Sequence, residues 1–154
     1  MSGRREMHVG IIGAGVMAEA MIAGLLADHA VSGERLVASH PRRERRETLA
    51  QRHGIGVVAA NVDVLADAEI VVLAVKPQML ARVMRELHGR LRDEQVVLSI
   101  VAGAKLGTLT RGLAHAAVVR AMPNTPSQIR RGITVWAASA ACRAVRSALW
   151  VTGQ

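Results

Sequence analysis

Three short stretches of this chain carry residues whose types and spacing could do chemistry. Gly13-Ala14-Gly15-Val16-Met17-Ala18 has the spacing G-x-G-x-x-A. Ser39-His40-Pro41-Arg42-Arg43 gathers a hydroxyl, an imidazole and guanidinium groups. Lys76-Pro77-Gln78 follows the apolar run Ile70 to Val75. The first stretch suits binding rather than bond-making. A glycine turn between a strand and a helix presents backbone N–H groups and the positive end of the helix dipole to a phosphate. Gly13 permits the sharp turn, Gly15 lets a pyrophosphate approach the backbone, and Ala18 is small enough for the helix to pack on the strand. The second stretch stands where a dinucleotide domain reads the adenosine ribose. An Asp or Glu there would accept a hydrogen bond from the 2′-hydroxyl of NAD. No carboxylate stands between Ser39 and Arg43, and the hydroxyl, imidazole and arginines can receive a 2′-phosphate. NADP(H) is therefore expected over NAD(H), with Arg42 or Arg43 as the phosphate contact. The rest of the run Arg42 to Glu47 reads as a solvated helix face with Glu44 and Glu47 interleaved.

The elements that must position these residues alternate between strand and helix. His8 to Ile12 is an apolar strand, and a helix should run from about Val16 to Asp28. Leu36 to Ser39 reads as the second strand. The second helix ends near His53-Gly54, with Gly54 as its terminating glycine and His53 a surface residue. Gly56 to Ala59 reads as a short strand and Asn61 to Ala66 as a short helix or turn. Glu69 to Val75 is the clearest buried parallel strand. Pro77 suits a helix start, and that helix should reach about Leu91. Lys76 then sits at a strand carboxyl end, where open α/β sheets bind ligands. Strands at Val96 to Val101, Ala117 to Ala121 and Ile133 to Ala137 follow, with a helix over Leu106 to Leu113. The pattern predicts an α/β, Rossmann-type doubly wound, mostly parallel sheet with helices on both faces.

Composition narrows the class. Hydrophobic content of 51% with 21% charged residues fits a globular domain. No apolar run approaches the roughly 18 residues of a membrane helix. Cys142 is the only cysteine, so neither an intrachain disulfide nor a cysteine metal cluster can form, and no metal site is expected. The net charge of +8 would suit nucleic acid, but the absence of Tyr and Phe argues against a base-stacking platform. A polyanionic nucleotide accounts for part of the charge. The expected location is cytoplasmic, with neither nucleic acid nor membrane as partner.

The chain resembles the pyrroline-5-carboxylate reductases. The resemblance rests on Ile11 to Met21, Ala38-Ser39-His40-Pro41, Ala74-Val75-Lys76-Pro77-Gln78, Ser99-Ile100-Val101-Ala102-Gly103 and Val119-Arg120-Ala121-Met122-Pro123-Asn124-Thr125-Pro126. The first of these, the glycine-turn stretch, is shared by many dehydrogenases; A-V-K-P-Q and V-R-x-M-P-N-T-P are far more specific. The match covers roughly Met7 to Ala138. It implies that NADPH reduces the C=N bond of 1-pyrroline-5-carboxylate to give L-proline. By motif it places Ile12, Gly13, Ala14, Gly15, Val16 and Met17 on the pyrophosphate, and Ser39 and His40 by the adenosine ribose and its 2′-phosphate. Asn61 falls toward the adenine side. Ala74, Val75, Lys76 and Pro77, with Ile100, Val101 and Ala102, line the ribose and nicotinamide, and Asn124 lies near nicotinamide and substrate. Hydride transfer to a protonated imine needs C4 of the nicotinamide held against the imine carbon, and requires no acid–base side chain of this chain. No catalytic residue is assigned.

Family members are homo-oligomers that continue into an all-helical C-terminal domain, which makes the dimer and supplies much of the substrate pocket. Its S-G-S-G-P-like and A-G-x-T-like segments do not occur in this sequence. The expected organisation is a disordered leader over 1–6, an NADP-binding Rossmann domain over 7–140, and a helix over 141–154 as the truncated start of that helical domain. Two alternatives stand beside the reductase: a non-catalytic NADP-binding module, and another NADP-linked oxidoreductase of the same fold, such as a β-hydroxyacid-dehydrogenase relative.

Overall fold

The structure, a computed structural model, describes residues 7–122 and 134–138. Among them one sheet forms from β1 (Val9–Ile12), β2 (Leu36–Ser39), β3 (Gly56–Val58), β4 (Ile70–Leu73), β5 (Val96–Ser99), β6 (Val118–Met122) and β7 (Thr134–Ala138). The spatial order is β3-β2-β1-β4-β5-β6-β7. The pairings from β3 to β6 are parallel, and β7 closes the edge antiparallel to β6 with an irregularity between Arg120 and Ala121. The Rossmann-type expectation holds, with an antiparallel last strand. β1 and β4 lie side by side, and the chain winds away from them in opposite directions. That reversal opens a crevice at their carboxyl ends.

The strands alternate their side chains between two cores, as period-two geometry requires. Ile11, Leu36, Val72 and Leu98 pack on one face against Ala18, Met21, Ile22 and Leu49 from helices α1 (Val16–Ala27) and α2 (Arg43–His53). Ile12, Val71, Leu73 and Val97 pack on the other against α3 (Pro77–Leu87), α4 (Leu106–Leu113) and the 3-10 turn Asn61–Leu65. Both faces are therefore covered, which is why β1 and β4 are buried at every position.

The helix after Lys76 stops at Leu87, four residues short of the expected Leu91. His88 leaves helical geometry at φ −54°, ψ 121°, and Gly89 turns the chain at φ +72°. His88 Nδ1 lies 2.9 Å from the Gly112 carbonyl oxygen and holds this exit against α4. The leader over 1–6, Pro123-Asn124-Thr125-Pro126 of the M-P-N-T-P turn, and the helix over 141–154 lie outside the described residues.

α4 ends on an alanine at φ +51°, Ala114, whose N–H donates to Arg111 O. A Cβ in this left-handed region is strained, and glycine there is not. Ala114→Gly should raise stability by about 0.5–1 kcal/mol after the added freedom of the unfolded chain is counted. The check is the urea midpoint; an unchanged or lower midpoint would show that the alanine carries no strain.

Candidate functional site

The chain leaves β1 through Gly13 at φ +88°. A Cβ at Gly13 would lie 2.9 Å from both N and Cα of Val75, so the turn sits directly on the chain leaving β4. Ala14 N–H donates to Ser39 O at 3.1 Å and ties the turn to the end of β2. Gly15 then caps α1, and its reason for being glycine is different. Its φ of −83° and ψ of −163° are open to any residue, and nothing lies within 4 Å of a Cβ built there. Neither backbone nor packing demands glycine at 15. What the missing side chain keeps clear is the space before the first turn of α1, whose N–H groups have no acceptor within the helix. Val16, the first residue of that turn, is 81% exposed. This cradle fits a phosphate group.

In front of the turn lies a cleft of about 650 Å³ at the carboxyl ends of β1, β2 and β4. Its walls are Gly13 and Gly15, Ser39 to Pro41, Ala59 to Val62, Ala74 to Lys76, Met79, Arg82, Val83 and Glu86 from α3, and Arg90 just after it. Lys76, Arg82 and Arg90 outnumber Glu86 there, which favours an anionic occupant. Ser39 is fully buried, and its hydroxyl donates to Asn61 Oδ1 at 2.8 Å. Asn61 Nδ2 in turn donates to Glu86 Oε2 at 2.8 Å. With its proton committed, the buried Ser39 hydroxyl has none left to donate to a ligand, while the Asn61 amide keeps a second N–H. His40 Nδ1 accepts from the Arg42 N–H at 3.1 Å, which leaves the ring proton on Nε2. Burial, and then the charges of Arg42, Arg45 and Arg46, push the His40 pKa below its ordinary value. His40 is thus a neutral N–H donor near pH 7.

The arginine run is more than a solvated face. Arg43 does behave so, pairing with Glu47 at 2.8 Å in the open. Arg46 Nη1, however, donates to the carbonyl oxygens of His40 and Pro41 at 2.8 and 2.9 Å. Arg45 reaches across to the glycine turn: Nε to Ala14 O at 3.1 Å, Nη2 to Gly15 O at 3.3 Å, and Nη2 to Glu19 Oε2 at 2.6 Å. Arg52 and His53 bind the other Glu19 oxygen at 2.7 and 3.0 Å. His53 is accordingly no surface residue; its side chain is 12% exposed, lodged between α1 and α2. The His53 hydrogen bond, followed by those of Arg45 and Arg52, outweighs burial and holds the Glu19 carboxyl at about 2.

Of the residues expected at the site, Gly13, Gly15, Ser39, His40, Asn61, Ala74, Val75 and Lys76 line the cleft together. The side chains of Ile12 and Ala14 are buried in the core, so these two can offer only backbone. Val16 and Met17 stand exposed at the start of α1. Arg42 is exposed at the N-cap of α2 beside His40, outside the cleft wall, and Pro77 opens α3. Ile100, Val101 and Ala102 follow β5 and are not among the residues that wall this cleft; Ile100 N–H donates to Leu73 O at 3.0 Å and Val101 N–H to Ser99 Oγ at 3.3 Å. Sequence reasoning missed Arg45 and the cleft face of α3. The signal was there as helical spacing: Met79, Arg82, Val83 and Glu86 share one face, and Arg45 shares a face with buried Leu49. Among the described residues, no group of three or more His, Cys, Asp or Glu could hold a metal ion, and no helix is long and apolar enough to cross a membrane.

A family model described as NADP oxidoreductase, coenzyme F420-dependent, matches residues 8–103. A pyrroline-5-carboxylate reductase of Synechocystis is 38% identical over 134 residues, covering 87% of this chain and 50% of the relative. One from Pseudomonas aeruginosa is 41% identical over 126 residues, covering 81% of this chain and 46% of the relative. The chain thus spans about half the length of these curated relatives. A solved pyrroline-5-carboxylate reductase of Coxiella burnetii superposes with a TM-score of 0.83 at 26% identity, covering 97% of this chain and 57% of that one. The Plasmodium falciparum pyrroline carboxylate reductase, solved with NADP bound, gives 0.78 at 19% identity, covering 98% and 57%; that likeness speaks for the fold.

Glu19 carries a pH signature. Its carboxyl titrates near 4.5 when unfolded and at about 2 in the fold, so the unfolded chain takes up the proton first as pH falls. Its stabilisation should be complete above about 4.5 and lost progressively toward 2. Glu19→Gln should lower stability near pH 7 by about 1–3 kcal/mol and flatten the decline between pH 4.5 and 2. Denaturant midpoints taken across that range check it; parallel curves for the two proteins would remove Glu19 from the account.

Proposed function

We propose, on the premise that this chain belongs to the NADP oxidoreductase, coenzyme F420-dependent family, that it binds NADP(H) in the cleft at the β1–β4 switch point as the cofactor half of a pyrroline-5-carboxylate reductase. The observation that carries the binding is Gly15: a glycine that neither φ nor packing requires, opening the N-terminus of α1 to a ligand. In this reading the first-turn amides of α1 and the backbone from Ile12 to Met17 hold the pyrophosphate. Ser39, His40 and Asn61 take the adenosine side, and Arg42, outside the cleft wall but next to His40, meets the 2′-phosphate. Ala74, Val75, Lys76 and Pro77 edge the nicotinamide half, with Ile100, Val101 and Ala102 beyond them and Asn124 at the substrate.

Bound NADPH supplies the hydride that reduces the C=N bond of 1-pyrroline-5-carboxylate to L-proline. This chain's residues bind and orient. His40 offers Nε2–H and Asn61 one amide hydrogen to the adenosine end, while Lys76, Arg82 and Arg90 offset phosphate charge. The turn at Gly13 fixes where the phosphates stop relative to β4, and so how far along the crevice the reacting ring extends. Two things support the substrate: the A-V-K-P-Q and V-R-A-M-P-N-T-P motifs, and the names of the relatives. The same reading takes 7–140 as the NADP-binding domain and 141–154 as the first helix of a helical domain, in a cytoplasmic enzyme of proline biosynthesis. The second reading is a cofactor-binding module without turnover.

Nicotinamide fluorescence tests both. Mixing the chain with NADPH should change the signal at lower concentrations than NADH does. Addition of 1-pyrroline-5-carboxylate should then cause the signal to decay if the chain turns over; a constant signal would mean binding without catalysis. Gly15→Val should melt within a few degrees of the parent and bind neither cofactor. NADPH binding by Gly15→Val at parental affinity would refute the cradle.

A further inference from the structure

The turn that receives the phosphates is gripped from behind. Arg45, in the first turn of α2, lies outside the cleft wall, yet its guanidinium donates to two consecutive carbonyl oxygens of the turn, Ala14 O at 3.1 Å and Gly15 O at 3.3 Å. Gly15 O also accepts the Glu19 N–H at 2.9 Å, so this carbonyl is held from two sides. A trans peptide is planar, and its C=O and N–H point in opposite directions. Fixing the Gly15 carbonyl toward α2 therefore turns the Val16 N–H the other way, into the open space before α1. The fork geometry of guanidinium suits this task; an ammonium at the same place could not reach both carbonyls and the Glu19 carboxylate together. Arg45 is itself aimed by Glu19 at 2.6 Å, and Glu19 is held by Arg52 and His53. The side chain is 23% exposed, so its bonds are only partly screened.

We infer that Arg45 is a positioning residue for diphosphate recognition: it clamps the Ala14 and Gly15 carbonyls so that the amides of the α1 N-terminus are set before the ligand arrives. This rests on the dinucleotide reading of the cleft. The clamp acts on the pyrophosphate and makes no hydrogen bond to the adenosine pocket: Ser39, His40 and Asn61 bond elsewhere, and Arg45 reaches His40 only through space, by its charge.

That separation sets the test. NADPH and 2′-AMP, which lacks the diphosphate, are titrated by calorimetry into the parent chain, Arg45→Met and Arg45→Lys. Arg45→Met should bind NADPH about tenfold more weakly, the scale of losing one charge-assisted hydrogen-bonding group. Its 2′-AMP affinity should stay within about twofold of the parent. Arg45→Lys, which keeps the charge beside Glu19 but not the fork, should resemble Arg45→Met. Equal losses for both ligands would mean that Arg45 only supports the fold, and a parent-like Arg45→Lys would mean that its charge alone matters; either overturns the inference, as would unchanged NADPH affinity in both variants. Circular dichroism and melting of each variant identify a general folding defect, in which case Glu19→Gln, which frees Arg45 from its anchor but leaves both carbonyls in reach, should show the same selective NADPH loss or refute the clamp. A parent chain that binds neither ligand would overturn the dinucleotide reading itself.

Discussion

The first strand and the fourth meet at Gly13 with no room for a side chain between them. A Cβ there would stand 2.9 Å from the Val75 backbone, at a φ that disfavours L-residues. Because β1 pairs with β4 on one side and β2 on the other, this turn passes over the point where the sheet changes winding direction. The geometry that follows is forced. The chain rises over the end of β4, starts α1 at once, and leaves the helix N-terminus open to the crevice. The Ala14 N–H bond to Ser39 O then fixes the height of the turn against β2.

α2 closes the construction from one side, chiefly by charge. Leu49 is its one buried residue among eleven, too little apolar surface to hold a helix of that length. What attaches it is the Arg45, Arg46, Arg52 and His53 set, directed at the Glu19 carboxylate and at backbone carbonyls of the two loops that frame the cleft. Magnitude decides which charged contacts matter. An exposed pair such as Arg43–Glu47 contributes about 0.3–0.5 kcal/mol. Glu19, 17% exposed and met by three cationic or ring partners, is held far below the usual carboxylate range and binds α1 to α2. The cost of desolvating these groups is offset by the number of hydrogen bonds each one makes.

Much of this was legible in the residues. The β-branched apolar run Ile70 to Leu73 suits a strand covered on both faces, and the spacing of Gly13, Gly15 and Ala18 between a strand and a helix points to one kind of turn. Ser39, His40 and Asn61 do meet in one cleft although 22 positions separate the first from the last. The errors have physical causes. The stop at Leu87 depends on Gly89 and on His88 meeting α4, a tertiary contact invisible to helical periodicity. His53 reads as a polar helix end until α1 brings Glu19 to it from 34 positions away. Arg45 looks interchangeable with its neighbours in R-R-E-R-R-E, because which arginine faces inward is set by the phase of buried Leu49.

The central claim is that the α1 N-terminus, kept open at Gly15, is where the diphosphate lies. The most direct measurement is an NMR titration of isotope-labelled protein with NADPH, followed at each backbone amide. The account predicts that the amides of Gly15, Val16, Met17 and Ala18 shift most, together with those of His40 and Asn61, while amides on the far end of α1 stay in place. Saturable NADPH binding that leaves residues 15–18 unshifted would contradict it.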